Sequence, residues 1–281
     1  MSKLYLVGTP IGNLGDISPR ALQTLETVDF IAAEDTRVTL KLLRHFSIGT
    51  PMVSYYEHNQ QYRGEQIVAR ILAGESCAVV TDAGMPCISD PGEGLVAQCA
   101  EAGIETVVVP GPSAVVSALC LSGIATGRFT FEGFLTVNRN GRLAHLEEVR
   151  NDPRTLIFYE APHKLLRTLE DMLAVWGDRP LALCRELTKL HEEVIRTTLA
   201  EAVALYTSQS PRGEYVLVVE GAPPKEETPL SFEEAVAMVC SLQKGGLPTS
   251  QAAKEIAKET GYKKGDLYKA ALEQFAASSD E

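Results

Sequence analysis

Short apolar, β-branched runs alternate with helical stretches along most of this chain, and almost every run ends in a loop of glycine, proline or acidic residues. That alternation limits the fold more than any other feature, because strands separated by helices predict α/β units around largely buried sheets. The runs are Lys3–Val7, Val28–Ala33, Met52–Tyr55, Cys77–Thr81 and Thr106–Val109, then Phe129–Phe134, Thr155–Tyr159, Leu181–Arg185 and Tyr215–Glu220. Helical patterns fill the gaps at Ser18–Thr27, Arg63–Ala73, Gly94–Ala102, Pro112–Leu121, Lys164–Val175 and Leu199–Ser208.

Two breaks divide the series. The glycine-containing stretch 122–128 separates the two sets of strands, so residues 1–122 read as one α/β domain and 123–222 as a second. A proline-rich, charged segment from Gly221 to Pro229 then reads as a linker, set at 223–230. Beyond it, Ser231-Phe-Glu-Glu234 is a capping-box pattern that opens a helix, and Ser250–Thr260 and Lys264–Phe275 give two more around Gly261. Residues 231–281 therefore form a small all-helical module.

Composition removes several classes. Lys and Arg number 26 against 37 Asp and Glu, a net charge of −11, which argues against a wholly basic nucleic-acid-coating surface. No apolar run approaches the ~20 residues of a membrane-spanning helix, and the opening apolar stretch is too short for a signal peptide. The six cysteines (77, 87, 99, 120, 184, 240) lack CxxC spacing and read as buried thiols of a reducing, cytoplasmic environment. No metal site is expected, since His191-Glu-Glu lacks the second histidine of a zinc HExxH helix.

The chemistry should lie where the strands end, because open α/β sheets bind ligands at their carboxyl edges. Gly8–Gly15, Glu34–Arg37, Asp82–Gly92, Pro110–Ala114, Glu160–His163 and Glu186–Lys189 all follow strands, and together they point to one extended site. The first spells GxxxGxxG, which is neither the dinucleotide fingerprint nor a phosphate loop, and no lysine follows it. A dehydrogenase fails on that fingerprint, although Glu34 and Asp35 lie about 20 residues beyond, where a ribose hydroxyl would be held. Asp82–Gly92 packs two Asp, two Gly and two Pro into eleven residues, which is hard to explain as a plain turn.

These loops carry a resemblance. Val7-Gly-Thr-Pro-Ile-Gly-Asn-Leu14, Ala33-Glu-Asp-Thr-Arg37, Thr81–Gly92, Pro110-Gly-Pro-Ser-Ala114, Phe131-Glu-Gly-Phe-Leu135, Phe158–Lys164, Arg185–Glu192 and Gly213–Gly221 occur in order. The set resembles the bacterial 16S rRNA cytidine 2′-O-methyltransferases (the RsmI group) of the tetrapyrrole-methylase superfamily, over roughly residues 4–221. The resemblance implies two α/β domains of tetrapyrrole-methylase type with a cofactor cleft between them, a homodimer, and S-adenosyl-L-methionine as cofactor. Its substrate would be 16S rRNA in the decoding region, within the small ribosomal subunit. By position, the cofactor-binding residues would be Pro10, Ile11, Asp82, Ala83, Gly84, Met85, Pro86, Ser113, Ala114, Tyr159, Glu160, Leu187 and Tyr215. Glu160 departs from the methionine of many relatives.

A ribose hydroxyl is a poor nucleophile unless a base takes its proton or a cation stabilises the developing alkoxide. Asp35, Glu34 and Glu160 are candidate bases, and Arg37, Lys189 and Arg185 candidate electrostatic helpers. A structural ion-pair network accounts for Glu34–Arg37 and Arg185–Lys189 equally well. For RNA, six lysines face three acids between Gln243 and Leu272, and Lys254, Lys258, Lys263 and Lys264 are the contact candidates. Arg139 and Arg142 sit in an apparent turn after a strand; Tyr55, Tyr56 and His58 are candidates for stacking a base. A corrin or porphyrin C-methyltransferase, and a non-catalytic RNA-binding assembly protein on the same fold, are the alternatives.

Overall fold

In the computed structural model, which describes residues 2–223 and 230–277, the first five strands form one parallel sheet. β1 (Leu4–Val7) lies between β4 (Cys77–Val80) and β5 (Thr106–Val109). β2 (Phe30–Ala33) pairs with β4 and with the edge strand β3 (Met52–Ser54), so the order is β3-β2-β4-β1-β5. β2 and β4 are buried along their whole length, which is why Phe30-Ile-Ala-Ala33 and Cys77-Ala-Val-Val80 show no polar alternation. α1 (Pro19–Thr27), α2 (Thr36–His45), α3 (Gln60–Leu72) and α4 (Glu93–Glu101) follow β1 to β4. One face buries Phe30, Tyr55, Ile67, Ile71 and Leu95, and the other Val7, Leu25, Ile31, Leu43 and Val80. Each such buried Leu, Ile or Phe contributes ~1.5–3 kcal/mol over exposure.

α5 (Ala114–Ser122) leads to a mixed sheet of order β6-β7-β10-β8-β9. β6 (Phe129–Phe134) is parallel to β7 (Thr155–Glu160); β8 (Pro180–Arg185), β9 (Glu193–Thr198) and β10 (Tyr215–Val219) complete it in antiparallel pairs. α6 (Arg139–Glu148), α7 (Pro162–Trp176) and α8 (Leu199–Ser208) cover one face around Phe158, Trp176, Leu183 and Leu217. On the other face sit Val115, Ala118 and Leu119 of α5, against Ile157, Cys184 and Val216. The helix that the sequence assigns to the first half thus packs on the second sheet, and Met1–Ala222 forms a single compact unit.

Three elements escaped the sequence reading. α2 is polar, with Arg37, Lys41 and Arg44, and its start is set by Asp35, whose carboxylate accepts from Arg37 N at 2.8 Å. β9 is an edge strand in which Glu193 and Arg196 interrupt the apolar pattern. The stretch read as a turn around Arg139 is the start of α6, capped by Asn138 Oδ1 accepting from Gly141 N at 3.1 Å.

The second unit, Pro223–Glu281, holds α9 (Phe232–Lys244), α10 (Thr249–Thr260) and α11 (Lys264–Ala277). Ser231 and Glu234 make the predicted capping box, with Ser231 Oγ accepting from Glu234 N and Glu234 Oε2 from Ser231 N. Ala235, Val239, Ala253, Ile256, Leu267 and Ala271 form its core. Of the linker set at 223–230, residues 224–229 lie outside the described residues. Among the described residues no helix is long and apolar enough to cross a membrane. Cys77, Cys99 and Cys184 are buried as expected, but Cys120 is exposed because it points outward from α5.

Candidate functional site

The loops that leave β1, β4 and β5 are locked together before any ligand is considered. Thr9 N donates to Gly84 O at 2.9 Å and Gly84 N returns to Thr9 O at 3.1 Å. A Cβ on Gly8 would lie 2.6 Å from Met85 Sδ and 2.7 Å from Gly111 Cα, so backbone approach of this kind requires glycine. A Cβ on Gly12 would meet the side chains of Lys189 and Thr188 in the 186–192 loop. Between the two sheets these loops enclose a cavity of about 430 Å³, within the ~300–1,000 Å³ range of small-molecule sites. The loops around it are strained: Ser89 (φ 61°) and Glu186 (φ 51°) on its wall, and Cys87 (φ 73°) and Thr188 (φ 65°) beside them in sequence, are all left-handed without being glycine. Strain of that kind collects at functional sites.

Charge is distributed unevenly around the cavity. Glu34, Asp82 and Asp90 come from the first sheet's loops. Asp82 N donates to Glu34 Oε2 at 3.2 Å, and Asp35 N donates to Asp82 Oδ1 at 3.2 Å, which latches the ends of β2 and β4. Burial raises the Glu34 carboxyl, with the Asp82 and Asp35 charges adding to it and the Asp82 N–H opposing it. Asp82 is likewise raised by burial. Asp90 is pushed up to about 7 by burial, then by the charges of Glu34 and Asp82. Opposite them, Lys189 Nζ bridges Glu186 Oε1 at 3.0 Å and Glu214 Oε2 at 2.8 Å. Burial pulls the Lys189 ammonium down, yet its two carboxylate partners outweigh that and hold it above its usual value. The remaining wall is apolar, made by Ile11, Leu187, Tyr215 and Val216, with Tyr159 in edge contact with Phe131 and beside Phe134.

Most of the residues singled out from sequence meet here. Ile11, Asp82, Ala83, Gly84, Met85, Ser113, Ala114, Tyr159, Glu160, Leu187 and Tyr215 line the cavity, as do Glu34 and Lys189. Pro10 and Pro86 are not among its lining residues. Asp35 and Arg37 also lie off the wall. The Asp35 carboxylate caps α2 and pairs with Arg37, whose side chain holds it down to about 2. Glu160 is buried and committed, accepting from Thr168 Oγ1 at 2.5 Å and pairing with Lys164 Nζ at 3.1 Å. Arg185 pairs with Glu193 at 3.0 Å.

The RNA candidates separate in the same manner. Arg142 is turned inward onto Asp171, at 2.7 Å, because α6 replaces the expected turn; that burial removes it from any RNA surface. Arg139 is exposed and also reaches Asp171, at 3.1 Å. Tyr55 is a core residue whose hydroxyl burial pushes up to about 12, while Tyr56 is exposed. Lys254, Lys258, Lys263 and Lys264 all face solvent. The sequence reading missed Asp90, Phe134, Glu186 and Glu214 on the cavity wall. Asp90 and Phe134 stood inside quoted motifs, and position after a strand was the signal available for Glu186. Among the described residues no group of three or more His, Cys, Asp and Glu is placed to hold a metal ion.

Comparison with known proteins places this architecture. Residues 3–203 match the family described as Tetrapyrrole (Corrin/Porphyrin) Methylases. The chain belongs to that methylase family. Residues 231–275 match the RsmI C-terminal HTH domain. The methylase is 49% identical over 274 residues to Ribosomal RNA small subunit methyltransferase I of Synechocystis sp., covering 97% of this chain and 98% of that protein. It is 45% identical over 275 residues to the protein of that name from Escherichia coli O157:H7, covering 97% and 95%. Among solved structures, diphthine synthase superposes with a TM-score of 0.60 at 14% identity, over 79% of this chain and 90% of that one. Uroporphyrin-III C-methyl transferase from Thermus thermophilus, complexed with S-adenyl homocysteine, gives 0.54 at 19% identity, over 77% and 97%. These neighbours show the fold; the chain is a methyltransferase by family.

Proposed function

We propose that this methylase transfers the methyl group of S-adenosyl-L-methionine to the 2′-oxygen of a cytidine in the decoding region of 16S rRNA, with the assembled small ribosomal subunit as substrate. The observation that carries the reading is the end-to-end match to relatives named for small-subunit rRNA methylation, which includes the C-terminal helical unit. The cavity fits the cofactor. When bound, S-adenosyl-L-methionine supplies an electrophilic methyl group on a cationic sulfonium. The carboxylates of Glu34 and Asp82 suit that cation, and Leu187, Tyr215 and Val216 offer an apolar wall for an adenine ring. Ser113 and Ala114 open α5 at the cavity, and the Ser113 side chain makes no capping bond, which leaves a hydroxyl and a helix amino end for a carboxylate.

Methyl transfer to an oxygen depends on alignment, and a cavity whose loops are pre-locked contributes mainly through positioning. Phe134 lines the cavity at 55% exposure and gives a face on which an unstacked base can rest. The exposed lysines of α10 and α11 supply phosphate contacts. The protein works as a homodimer in the cytoplasm on this reading. The test is transfer from labelled S-adenosyl-L-methionine to small subunits lacking the modification, with naked 16S rRNA in parallel. Label on a cytidine 2′-oxygen in subunits supports the proposal. Cofactor binding with no label on either RNA would redirect it to a corrin or porphyrin carbon, and absence of cofactor binding to a scaffold role.

A further inference from the structure

Six carboxylates line the cavity: Glu34, Asp82, Asp90, Glu160, Glu186 and Glu214. Five are committed. Glu34 and Asp82 each accept a backbone N–H across the β2–β4 latch, and Glu160 is held by Thr168 and Lys164. Glu186 and Glu214 share Lys189. Asp90 has neither a cation nor a backbone N–H partner among the described residues; the Thr81 hydroxyl lies beside it. That hydroxyl is itself buried and completes no hydrogen bond of ordinary geometry. Among the described residues the two have no further polar side-chain partner, and Asp90 opens on the same cavity as Ser113, Phe134 and Tyr159.

The loop presents Asp90 rigidly. Cys87 N donates to Pro91 O at 3.3 Å and closes the turn that carries Ile88, Ser89 and Asp90 into the cavity. Two left-handed residues, Cys87 and Ser89, are fixed within that turn, and Gly92 follows at φ 144°. Seen from outside, Ser89 Oγ lies 3.5 Å from where a Cβ on Gly133 would stand, so the loop spans the cleft to the bulge of β6. Strained backbone held in place by surrounding contacts is what pre-positioning of a reacting group requires.

We propose that Asp90 is the base that accepts the proton of the methylated hydroxyl, an assignment that rests on the hydroxyl-methylation reading above. In the step, the ribose 2′-oxygen bonds to the methyl carbon as the carbon–sulfur bond breaks. The electron pair of that bond stays on sulfur, and the hydroxyl proton passes to a carboxylate oxygen of Asp90. No other reactant is needed.

The groups facing Asp90 come from several elements: Glu34 after β2, Asp82 after β4, Cys87 in its own loop and Tyr159 on β7, with Lys189, Glu186 and Glu214 across the cavity. Burial and the two neighbouring carboxylates bring its carboxyl to about 7, the range that suits a general base at neutral pH. Asp35, by contrast, lies off the cavity wall with its carboxylate paired to Arg37.

The test compares wild type, Asp90→Asn and Asp90→Glu by single-turnover methylation of small subunits across pH. Two further measurements need no turnover: S-adenosyl homocysteine affinity by calorimetry, and carboxyl titration of the free protein by ¹³C NMR. Wild-type rate should rise with pH through an apparent pKa near neutrality. Asp90→Asn should lose ~10²–10⁴-fold in rate and flatten the profile while binding S-adenosyl homocysteine as wild type does; Asp90→Glu should restore part of the rate. One carboxyl titrating near neutrality should vanish in Asp90→Asn. If that variant misfolds, the wild-type profile and titration still decide. Normal labelling of RNA by wild type together with an unchanged rate and profile in Asp90→Asn overturns this assignment alone. No titration near neutrality overturns it as well. Failure of wild type to label RNA overturns the rRNA reading, and this assignment with it.

Discussion

Arg142→Met offers the sharpest check on how the second sheet is held. Arg142 and Asp171 are buried to 8% and 5% side-chain exposure. Nε and one terminal nitrogen of Arg142 reach Asp171 Oδ2 at 2.9 and 2.7 Å, and the other donates to Thr136 O and Val137 O at 3.2 Å. Removing one partner of a buried pair costs ~3–5 kcal/mol, because the other charge remains without compensation. Arg139 still reaches Asp171, at 3.1 Å, so the lower end, about 3 kcal/mol, is expected. At roughly 2–4 °C per kcal/mol for a unit of this size, Tm should fall by about 6–12 °C. Trp176, the single tryptophan, reports on the same region: its Nε1 donates to Leu146 O on α6, and it sits on α7 with Asp171. The assay is therefore urea or thermal unfolding followed by tryptophan fluorescence. Arg142→Met/Asp171→Leu should recover most of the loss, since a buried pair replaced by apolar groups is close to neutral. A loss below about 1 kcal/mol in the single variant, the range of an exposed ion pair, would refute the reasoning. So would a matching loss of RNA affinity in a variant that folds normally.

Three other outcomes are expected. Asp35→Asn should retain turnover near wild type in the subunit assay, rather than the ~10²–10⁴-fold loss of a missing base, because Asp35 caps α2 and binds Arg37. Asp90→Asn should melt higher than wild type at pH 8 and equally at pH 3. The folded pKa of Asp90 is raised to about 7, so its ionisation destabilises the fold progressively from the unfolded carboxylate value upward, and fully above the folded one. Discounted for solvent screening, the gain is roughly 1 kcal/mol, or about 2–4 °C by calorimetry. Lys254→Ala/Lys258→Ala should weaken RNA binding across sequences and lower the slope of log affinity against log salt by about 1–2, measured by filter binding at several salt concentrations.

The sequence disclosed the sheets because their strands are buried on both faces and therefore read as continuous apolar runs, as β2 and β4 do. It disclosed the cavity because loops at strand ends converge, and Ile11, Gly84, Ser113 and Leu187 do meet there. It did not disclose α2 or β9, whose charged residues are explained only by an edge or solvent position. Nor did it separate Asp35 from Asp90. Both are aspartates in polar loops; the Asp35–Arg37 pair is local, two residues apart, and was one of two readings left open, whereas only tertiary packing shows Asp90 half-buried beside two further carboxylates. Arg142 was misplaced for a similar reason. Its buried partner Asp171 lies 29 residues away on another helix, beyond any local pattern.

The position of α5 has a consequence for how the polypeptide behaves when cut. Val115, Ala118 and Leu119 lie in the second sheet's core, and Arg196 donates from β9 to the carbonyls of Leu121 and Ser122 at 2.5 and 3.1 Å. A protease nick between residues 123 and 128 would sever the covalent chain without freeing either half, because the first fragment ends in a helix embedded in the other. Separately produced 1–122 would carry that apolar helix exposed and aggregate, whereas the two fragments made together should reassociate. The helix that leads into the break between the two sets of strands is thus the strap that joins the sheets in space, and Ser113, just before it, lines the cavity.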